Sequence, residues 1–324
     1  FIEKPLRIRN REFNKFLIKI LFTVSLIGFC SLVVFFKNGF ENRVDQVGNN
    51  FNQMPHDLLR DSDGKRCFSK IDGCVFNTGK KNKIFLIGDS LSGGLSYFFK
   101  TELVKKNFEV NIYSMDGCHF FLGFNKIDVK TQNKMACNFD YMSNIKNKLD
   151  NEKDSIIVFV SFLTKYLTNE RIIKSREDLI TEKMETKFIN ITDNKKNVGD
   201  SFVEVVNKLK QKHKIILVYP IHEAGFKLQK KHYDQENNYY NLTNYSFYEN
   251  RNKVTYNLLD NIKGNNILRV YPHKIFCNSI IIDKCVVNKN NIFYFYNDHP
   301  SIVGSQMIND LIIKEIEKIE LKSN

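Results

Sequence analysis

Lys83-Ile84-Phe85-Leu86-Ile87-Gly88-Asp89-Ser90-Leu91-Ser92-Gly93-Gly94-Leu95 is the stretch on which the reading of this chain turns. Ile84–Ile87 is a short run of β-branched, aromatic and other apolar residues, the pattern of a buried strand. Gly88-Asp89-Ser90 breaks that pattern, and Ser92, Gly93 and Gly94 follow where a helix should begin. A serine at the carboxyl end of a buried strand, just before a helix, sits where open α/β sheets place their reactive groups. The first amides of that helix can also stabilise negative charge on an oxyanion. Asp and Ser are common N-caps, so the tripeptide alone reads equally well as an ordinary strand-to-helix turn. A second, distant feature has to decide.

That feature lies about 210 residues later, at Asn297-Asp298-His299-Pro300-Ser301, followed by Ile302-Val303-Gly304. An early GDS and a late DH-P-S-x-x-G resemble the first and last blocks of the SGNH hydrolase superfamily. The resemblance implies that Ser90 is a nucleophile and His299 its base. A hydroxyl is a poor nucleophile at its own pKa and needs a base within hydrogen-bond reach. Imidazole suits that task because it ordinarily titrates near neutral pH.

Outward from Ser90 the chain alternates. Leu91–Lys106 reads as a helix and Phe108–Tyr113 as a second strand; Ser155–Val160 is a third strand. Ser201–His213 is an amphipathic helix, Lys214–Tyr219 a fourth strand, Val254–Ile262 a helix, Asn266–Tyr271 a fifth strand, and Ile302–Ile319 a closing helix. Strands alternating with helices predict a parallel sheet in a three-layer α/β/α sandwich. Two polar excursions, Thr168–Asn197 and Gln229–Ser246, exceed normal connection lengths and are candidates to frame a substrate.

Phe16–Phe36 is a different kind of stretch, FLIKILFTVSLIGFCSLVVFF, uncharged from Ile20 onward. Its 21 residues span about 31 Å as a helix, enough for a bilayer core of ~30 Å. A signal peptide would have a shorter apolar region and a small-residue cleavage site, which Lys37-Asn38-Gly39-Phe40-Glu41 lacks. Six basic residues precede the uncharged run, whereas only Lys37 and Arg43 follow closely. The positive-inside rule then puts the N-terminus in the cytoplasm and the rest outside, in the periplasm of a bacterium. The net charge of +13 is otherwise spread along the chain, with no basic stripe interleaved with aromatics, which argues against nucleic acid as a partner.

The cysteines fit an exported domain. Cys30 lies in the apolar run, leaving Cys67, Cys74, Cys118, Cys137, Cys277 and Cys285 as three local couples. The expected disulfides are Cys67–Cys74, Cys118–Cys137 and Cys277–Cys285, among the fifteen pairings that six cysteines allow. Each short loop closed would contribute roughly 2–3 kcal/mol under the chain-entropy account. Zinc is the alternative, but the spacings do not resemble paired C-x-x-C knuckles, and no metal is expected.

The first residues, Phe1-Ile2-Glu3-Lys4-Pro5-Leu6-Arg7, resemble the cytoplasmic end of an acyltransferase family 3 membrane domain. Many members of that family continue into one more transmembrane helix and then an extracytoplasmic SGNH domain, the order seen here. The expected organisation is therefore residues 1–15 as the end of the membrane domain, 16–36 as a transmembrane helix, 37–66 as a polar tether and 67–324 as the SGNH domain. Asp116-Gly117-Cys118 resembles the second SGNH block, which implies that the amides of Gly117 and Ser90 form the oxyanion hole. Val218-Tyr219-Pro220-Ile221-His222-Glu223 resembles a (V/I)-x-P-x-P-E segment of the fused domains, with His222 in place of the second proline.

Two departures stand out. The family's orienting Asp lies three residues before the catalytic His, where this chain has Tyr296. Either Asp298 replaces it, or Ser90 and His299 work as a dyad with a backbone carbonyl as orienter. The third-block Asn of the oxyanion hole is also missing, since the strand ends Val160-Ser161-Phe162-Leu163. Loss of one such donor can cost ~2.7–4 kcal/mol of transition-state stabilisation. Other residues have blander readings: His119 as a packed side chain, Asp89 as a turn or cap, and the Tyr239, Tyr240, Tyr245, Tyr248 run as a packed loop or a sugar-stacking surface. Asn190-Ile191-Thr192 and Asn241-Leu242-Thr243 match glycosylation sequons, which arise often in an Asn-rich chain.

Taken together, the resemblance implies a membrane-anchored O-acyltransferase, with acetyl the expected group, acting on cell-surface carbohydrate through a Ser90–His299 acyl-enzyme. No bound cofactor is expected; the acyl group would come ultimately from acyl-CoA through a membrane acyltransferase domain. A carbohydrate esterase using the same pair, and a non-catalytic glycan-presenting module, are the alternatives.

Overall fold

A computed structural model describes residues 13–37, 55–174, 178–192, 196–225, 242–287, 293–294 and 298–321. The chain divides into two compact units, residues 1–49 and 50–324. The first contains helix α1, Phe13–Phe36, which is long and apolar enough to cross a membrane. Two of its three hydroxyls are bonded within the helix: Thr23 Oγ1 donates to Lys19 O at 2.8 Å and Ser31 Oγ to Ile27 O at 2.9 Å. Such back-bonding suits a hydrocarbon setting, where no water is available to do it.

The second unit alternates strands and helices in chain order. It starts with a 3-10 turn at Pro55–Asp57, then β1 (Cys74–Phe76), β2 (Lys83–Gly88), α2 (Ser90–Lys105), β3 (Glu109–Ser114), β4 (Phe124–Asp128), α3 (Phe139–Asp150) and β5 (Ile156–Val160). There follow α4 (Leu163–Thr168), β6 (Glu170–Lys174), β7 (Ile180–Lys183), β8 (Thr186–Asn190), α5 (Val198–Leu209) and β9 (Lys214–Val218). The last elements are β10 (Leu242–Asn244), α6 (Tyr245–Asp260), β11 (Ile267–Val270), α7 (His273–Phe276), β12 (Lys284–Val286) and α8 (Ile302–Leu321). The five expected strands are β2, β3, β5, β9 and β11.

These form one sheet in the order β1-β3-β2-β5-β9-β11. All neighbours run parallel except the edge strand β1, which joins β3 antiparallel, so the sheet is mixed rather than wholly parallel. Residues 84–87 and 156–160 are buried without alternation, as strands covered on both faces must be. After β2 the chain pairs on one side through β3, then crosses to the other side through β5 and continues outward. The carboxyl end of β2 is therefore the topological switch point, where open α/β sheets form their crevice. Helices cover the sheet, completing the α/β/α sandwich, and α8 is tied to α2 by Asn309 Nδ2 donating to Leu95 O at 3.0 Å.

One boundary differs from expectation. Residues 55–66, assigned to the tether, are folded onto the domain. Pro55 and Leu59 are buried, and Arg60 bridges Arg66 in a short antiparallel contact. The reason is apolar: the space above Gly93 of α2 is filled by His56 and Phe68, whose rings lie 4.6 Å apart. Within the excursion expected at Thr168–Asn197, β6 pairs antiparallel with β7, and β8 pairs antiparallel with the distant β4. Of Gln229–Ser246, only residues 242–246 are described.

Candidate active site

Ser90 owes its position to Gly88 and Asp89. β2 and β5 pair so closely that a Cβ at Gly88 would lie 1.7 Å from Val160 O, which excludes any side chain there. Asp89 is the N-cap of α2, accepting from Leu91 N at 2.9 Å. Its other oxygen accepts from Phe162 N at 2.8 Å and from the Tyr166 hydroxyl at 2.7 Å. Burial raises its carboxyl above the usual range, against the pull of those hydrogen bonds. Asp89 thus ties the end of β2 to the β5–α4 turn, as the cap it was expected to be. Ser90 follows as the first residue of α2, 8% exposed.

The expected base, His299, arrives from the other end of the chain. Tyr294 bridges Pro300, and Ser301 N donates to Phe293 O at 2.8 Å, fixing the segment just before α8. His299 Nε2 lies 2.7 Å from Ser90 Oγ, and His299 Nδ1 lies 2.6 Å from Asp298 Oδ1. The imidazole ring stands edge-on to Phe162, 5.2 Å between centroids, and 6.4 Å from the ring of His56. Ser90, His299 and Asp298 therefore form one continuous hydrogen-bonded chain. Positions 296 and 297 lie outside the described residues.

Asp298 has a second partner that the sequence did not reveal. Lys165 Nζ sits 2.6 Å from its Oδ2, and 3.8 Å from Glu223 Oε1; Arg251 Nε is 3.6 Å from Glu223 Oε2. Burial alone would raise the Asp298 carboxyl, but the Lys165 ammonium and the His299 hydrogen bond outweigh it and hold it well below the usual carboxylate range. Burial likewise lowers Lys165, yet Asp298 and Glu223 leave it raised. Glu223 goes the other way, pushed up by burial against both cations. Glu223 belongs to the Val218–Glu223 segment already singled out. Lys165 and Arg251 carried no signal in a chain so rich in basic residues. His56 was missed because it lay in the presumed tether; burial lowers its pKa.

The loop after β3 comes alongside. Met115 N donates to Gly88 O at 3.1 Å, and Gly117 adopts φ +57°, a conformation that favours glycine. All three disulfides pair as expected: Cys67–Cys74, Cys118–Cys137 and Cys277–Cys285. The one metal-like group among the described residues, His222 with Cys277 and Cys285, has both sulfurs in that last bridge. His222 instead bonds Thr243 Oγ1 at 2.6 Å, and burial lowers its pKa to about 3. Ser161, in the stretch where the family's Asn is missing, bonds His119 Nδ1 at 2.6 Å. His119 is packed between Phe121 and Phe202, as expected of a structural residue. Tyr248 is buried and stacked on Tyr245, whereas Tyr239, Tyr240 and the Asn241 sequon lie outside the described residues. Asn190 accepts from Thr192 N at 2.9 Å and donates to Lys196 O at 2.8 Å, holding its own turn.

A mostly parallel α/β sandwich with a GDS turn at its switch point defines an SGNH-hydrolase-like fold. Residues 58–314 match the family described as "SGNH domain (fused to AT3 domains)", and the chain belongs to that family. Among solved structures, it is similar to the periplasmic domain of a lipopolysaccharide acetyltransferase from Salmonella ser. Paratyphi A. That likeness has 17% identity and a TM-score of 0.52, covering 84% of this chain and 97% of that one. A G-D-S-L family lipolytic protein from Veillonella parvula matches at 13% identity and a TM-score of 0.38, covering 72% of this chain and 96% of its own. A family two carbohydrate esterase mutant from Clostridium thermocellum matches at 10% and 0.37, covering 74% and 64%. No curated protein matches.

Proposed function

We propose that this chain is a membrane-anchored O-acyltransferase, with acetyl as the transferred group and cell-surface carbohydrate as the acceptor. The observation that carries the reading is the unbroken Ser90–His299–Asp298 hydrogen-bond chain at the switch point. In the first half-reaction Ser90 Oγ attacks the donor's carbonyl carbon while His299 Nε2 takes the hydroxyl proton. The tetrahedral intermediate collapses, the acyl–leaving-group bond breaks, and the leaving group departs with that proton. In the second half a sugar hydroxyl attacks the acyl-serine, giving its proton to His299, which returns it to Ser90 Oγ as the ester is released. Asp298 holds the imidazole in the tautomer that presents Nε2 to Ser90 and stabilises the imidazolium as it forms. The amides of Ser90 and Gly117 are the proposed oxyanion donors.

The family supports a partner: an acyltransferase family 3 membrane domain, passing outward an acyl group drawn ultimately from acyl-CoA. The three disulfides support an oxidising compartment for the domain, and the basic residues ahead of α1 support a cytoplasmic N-terminus. The test uses the full chain in detergent with p-nitrophenyl acetate, with and without a surface oligosaccharide, and Ser90→Ala as control. Ser90-dependent nitrophenol release with acetyl appearing on the sugar is the expected result. Release to water alone would make the domain an esterase, and no Ser90-dependent turnover in a folded chain would leave it a glycan-presenting module.

A further inference from the structure

We propose that Lys126 is an oxyanion-hole residue of this domain, its ammonium donating to the oxyanion where the missing third-block Asn would have done so. The inference rests on the acyl-enzyme reading of Ser90. It begins with an oddity of the core: Lys126 is 5% exposed, a burial that lysines rarely reach unless paired. No carboxylate pairs with it among the described residues. Its ammonium donates to the carbonyl of Gly117, at 2.8 Å. An ammonium has three N–H groups, so two are left without a partner among the described residues, a costly arrangement for a buried charge.

Where that charge sits gives the cost a purpose. A Cβ built on Gly117 would lie 2.2 Å from Lys126 Nζ. Adding a ~1.5 Å Cα–Cβ bond puts the ammonium within about 4 Å of the Gly117 Cα. Gly117 N, on the same residue, likewise has no acceptor among the described residues. Both donors therefore lie on or against the loop after β3, which Met115 pins to Gly88, two residues before Ser90. The third-block stretch supplies no substitute, because the Ser161 hydroxyl is held by His119. The remaining charges around Lys126 are Asp116, Asp89 and Lys165, and Asp89 already accepts three hydrogen bonds. The same geometry explains why position 117 is glycine: its φ is positive, and any side chain would occupy the ammonium's place.

The test measures steady-state and burst kinetics with p-nitrophenyl acetate on the full chain in detergent, comparing wild type, Lys126→Met, Lys126→Gln and Ser90→Ala. Burst amplitude counts functional serines, so a folding defect lowers the amplitude and a lost oxyanion donor lowers the rate per site. Lys126→Met should lower kcat about 100-fold with KM within about twofold, and Lys126→Gln, which restores an N–H without the charge, should recover about a tenth of the wild-type rate. A per-site rate for Lys126→Met within threefold of wild type overturns the proposal and leaves Ser90 chemistry standing. If the variants do not fold, wild type alone decides. Burial pushes the Lys126 ammonium below its ordinary value, against Asp116 and Asp89, so kcat should fall on an alkaline limb as the charge is lost, at lower pH than an ordinary lysine would give, ~10.4. A wild-type profile with no alkaline limb below that ordinary lysine value overturns the proposal. Absence of any Ser90-dependent turnover in wild type would remove the acyl-enzyme reading itself, and this inference with it.

Discussion

Two serine–histidine pairs lie in this domain, with hydrogen bonds of nearly equal length: 2.7 Å for Ser90–His299 and 2.6 Å for Ser161–His119. Everything around them differs. His299 has a carboxylate on its second nitrogen and about a fifth of its side chain exposed. His119 is 2% exposed among aromatic rings, and its Nε2 has no partner among the described residues. Burial drives the His119 pKa down to about 3, so it stays neutral and cannot hold a proton taken from a hydroxyl. What separates the proposed base from the packed His119 is a counter-charge able to stabilise an imidazolium, together with access for a substrate. The serine–histidine distance does not distinguish them.

The sharpest way to break the comparison is to disable each pair in turn. Ser90→Ala should lower turnover on the order of 10⁴–10⁶-fold, leaving only what binding and the oxyanion donors supply. Asp298→Asn removes the counter-charge while keeping the shape, and should cost about 10³–10⁴-fold in kcat with KM little changed. Equal rates for Asp298→Asn and wild type would mean that a dyad suffices.

Lys165→Met leaves the part-buried Asp298 carboxylate and the buried Glu223 carboxylate without their shared cation. The expected loss is about 3 kcal/mol in denaturant unfolding, the low end for a broken buried pair because the side chains are 14% and 20% exposed. It also moves acid unfolding. Asp298 has a depressed pKa in the folded chain, so its contribution is present above the ordinary carboxylate value and lost as pH falls below it. Without Lys165 the folded value rises, the contribution shrinks, and the acid midpoint should shift to higher pH. The smallest effect is expected of His119→Phe, with turnover within about threefold of wild type. His119 titrates near 3 folded against ~6.5 unfolded. Its contribution is complete above pH ~6.5 and lost as pH falls toward 3. The variant should therefore lose less stability between pH 6.5 and 4 than wild type does.

The sequence made the sheet legible because its strands are covered on both faces and read as unbroken apolar runs at residues 84–87, 156–160 and 215–218. β1 escaped notice: three residues, Cys74–Phe76, joined antiparallel at an edge, carry no periodicity to detect. Ser90, His299 and the disulfide couples were readable from motif order and spacing. Asp298 was readable as one of two options, and the geometry adds its hydrogen bond to His299 Nδ1. Lys165, Arg251 and His56 were not readable. Their positions depend on how α4, α6 and the Pro55–Asp57 turn pack, which local sequence does not encode.

Ser90 and His299 stand 209 residues apart, and Asp298 travels with His299 on the segment that leads into α8. A contact across that sequence separation is non-local, and its closure entropy is met only once the rest of the chain is gathered. His299 and Asp298 therefore enter and leave together, as one piece of the C-terminal layer held to α2 through Asn309 and Leu95. A partially opened molecule that releases α8 keeps Ser90 and the sheet but loses both of its hydrogen-bonded partners at once. Under the proposed acyl-enzyme reading, turnover is then a gauge of native C-terminal docking, and on heating it should vanish before the sheet melts.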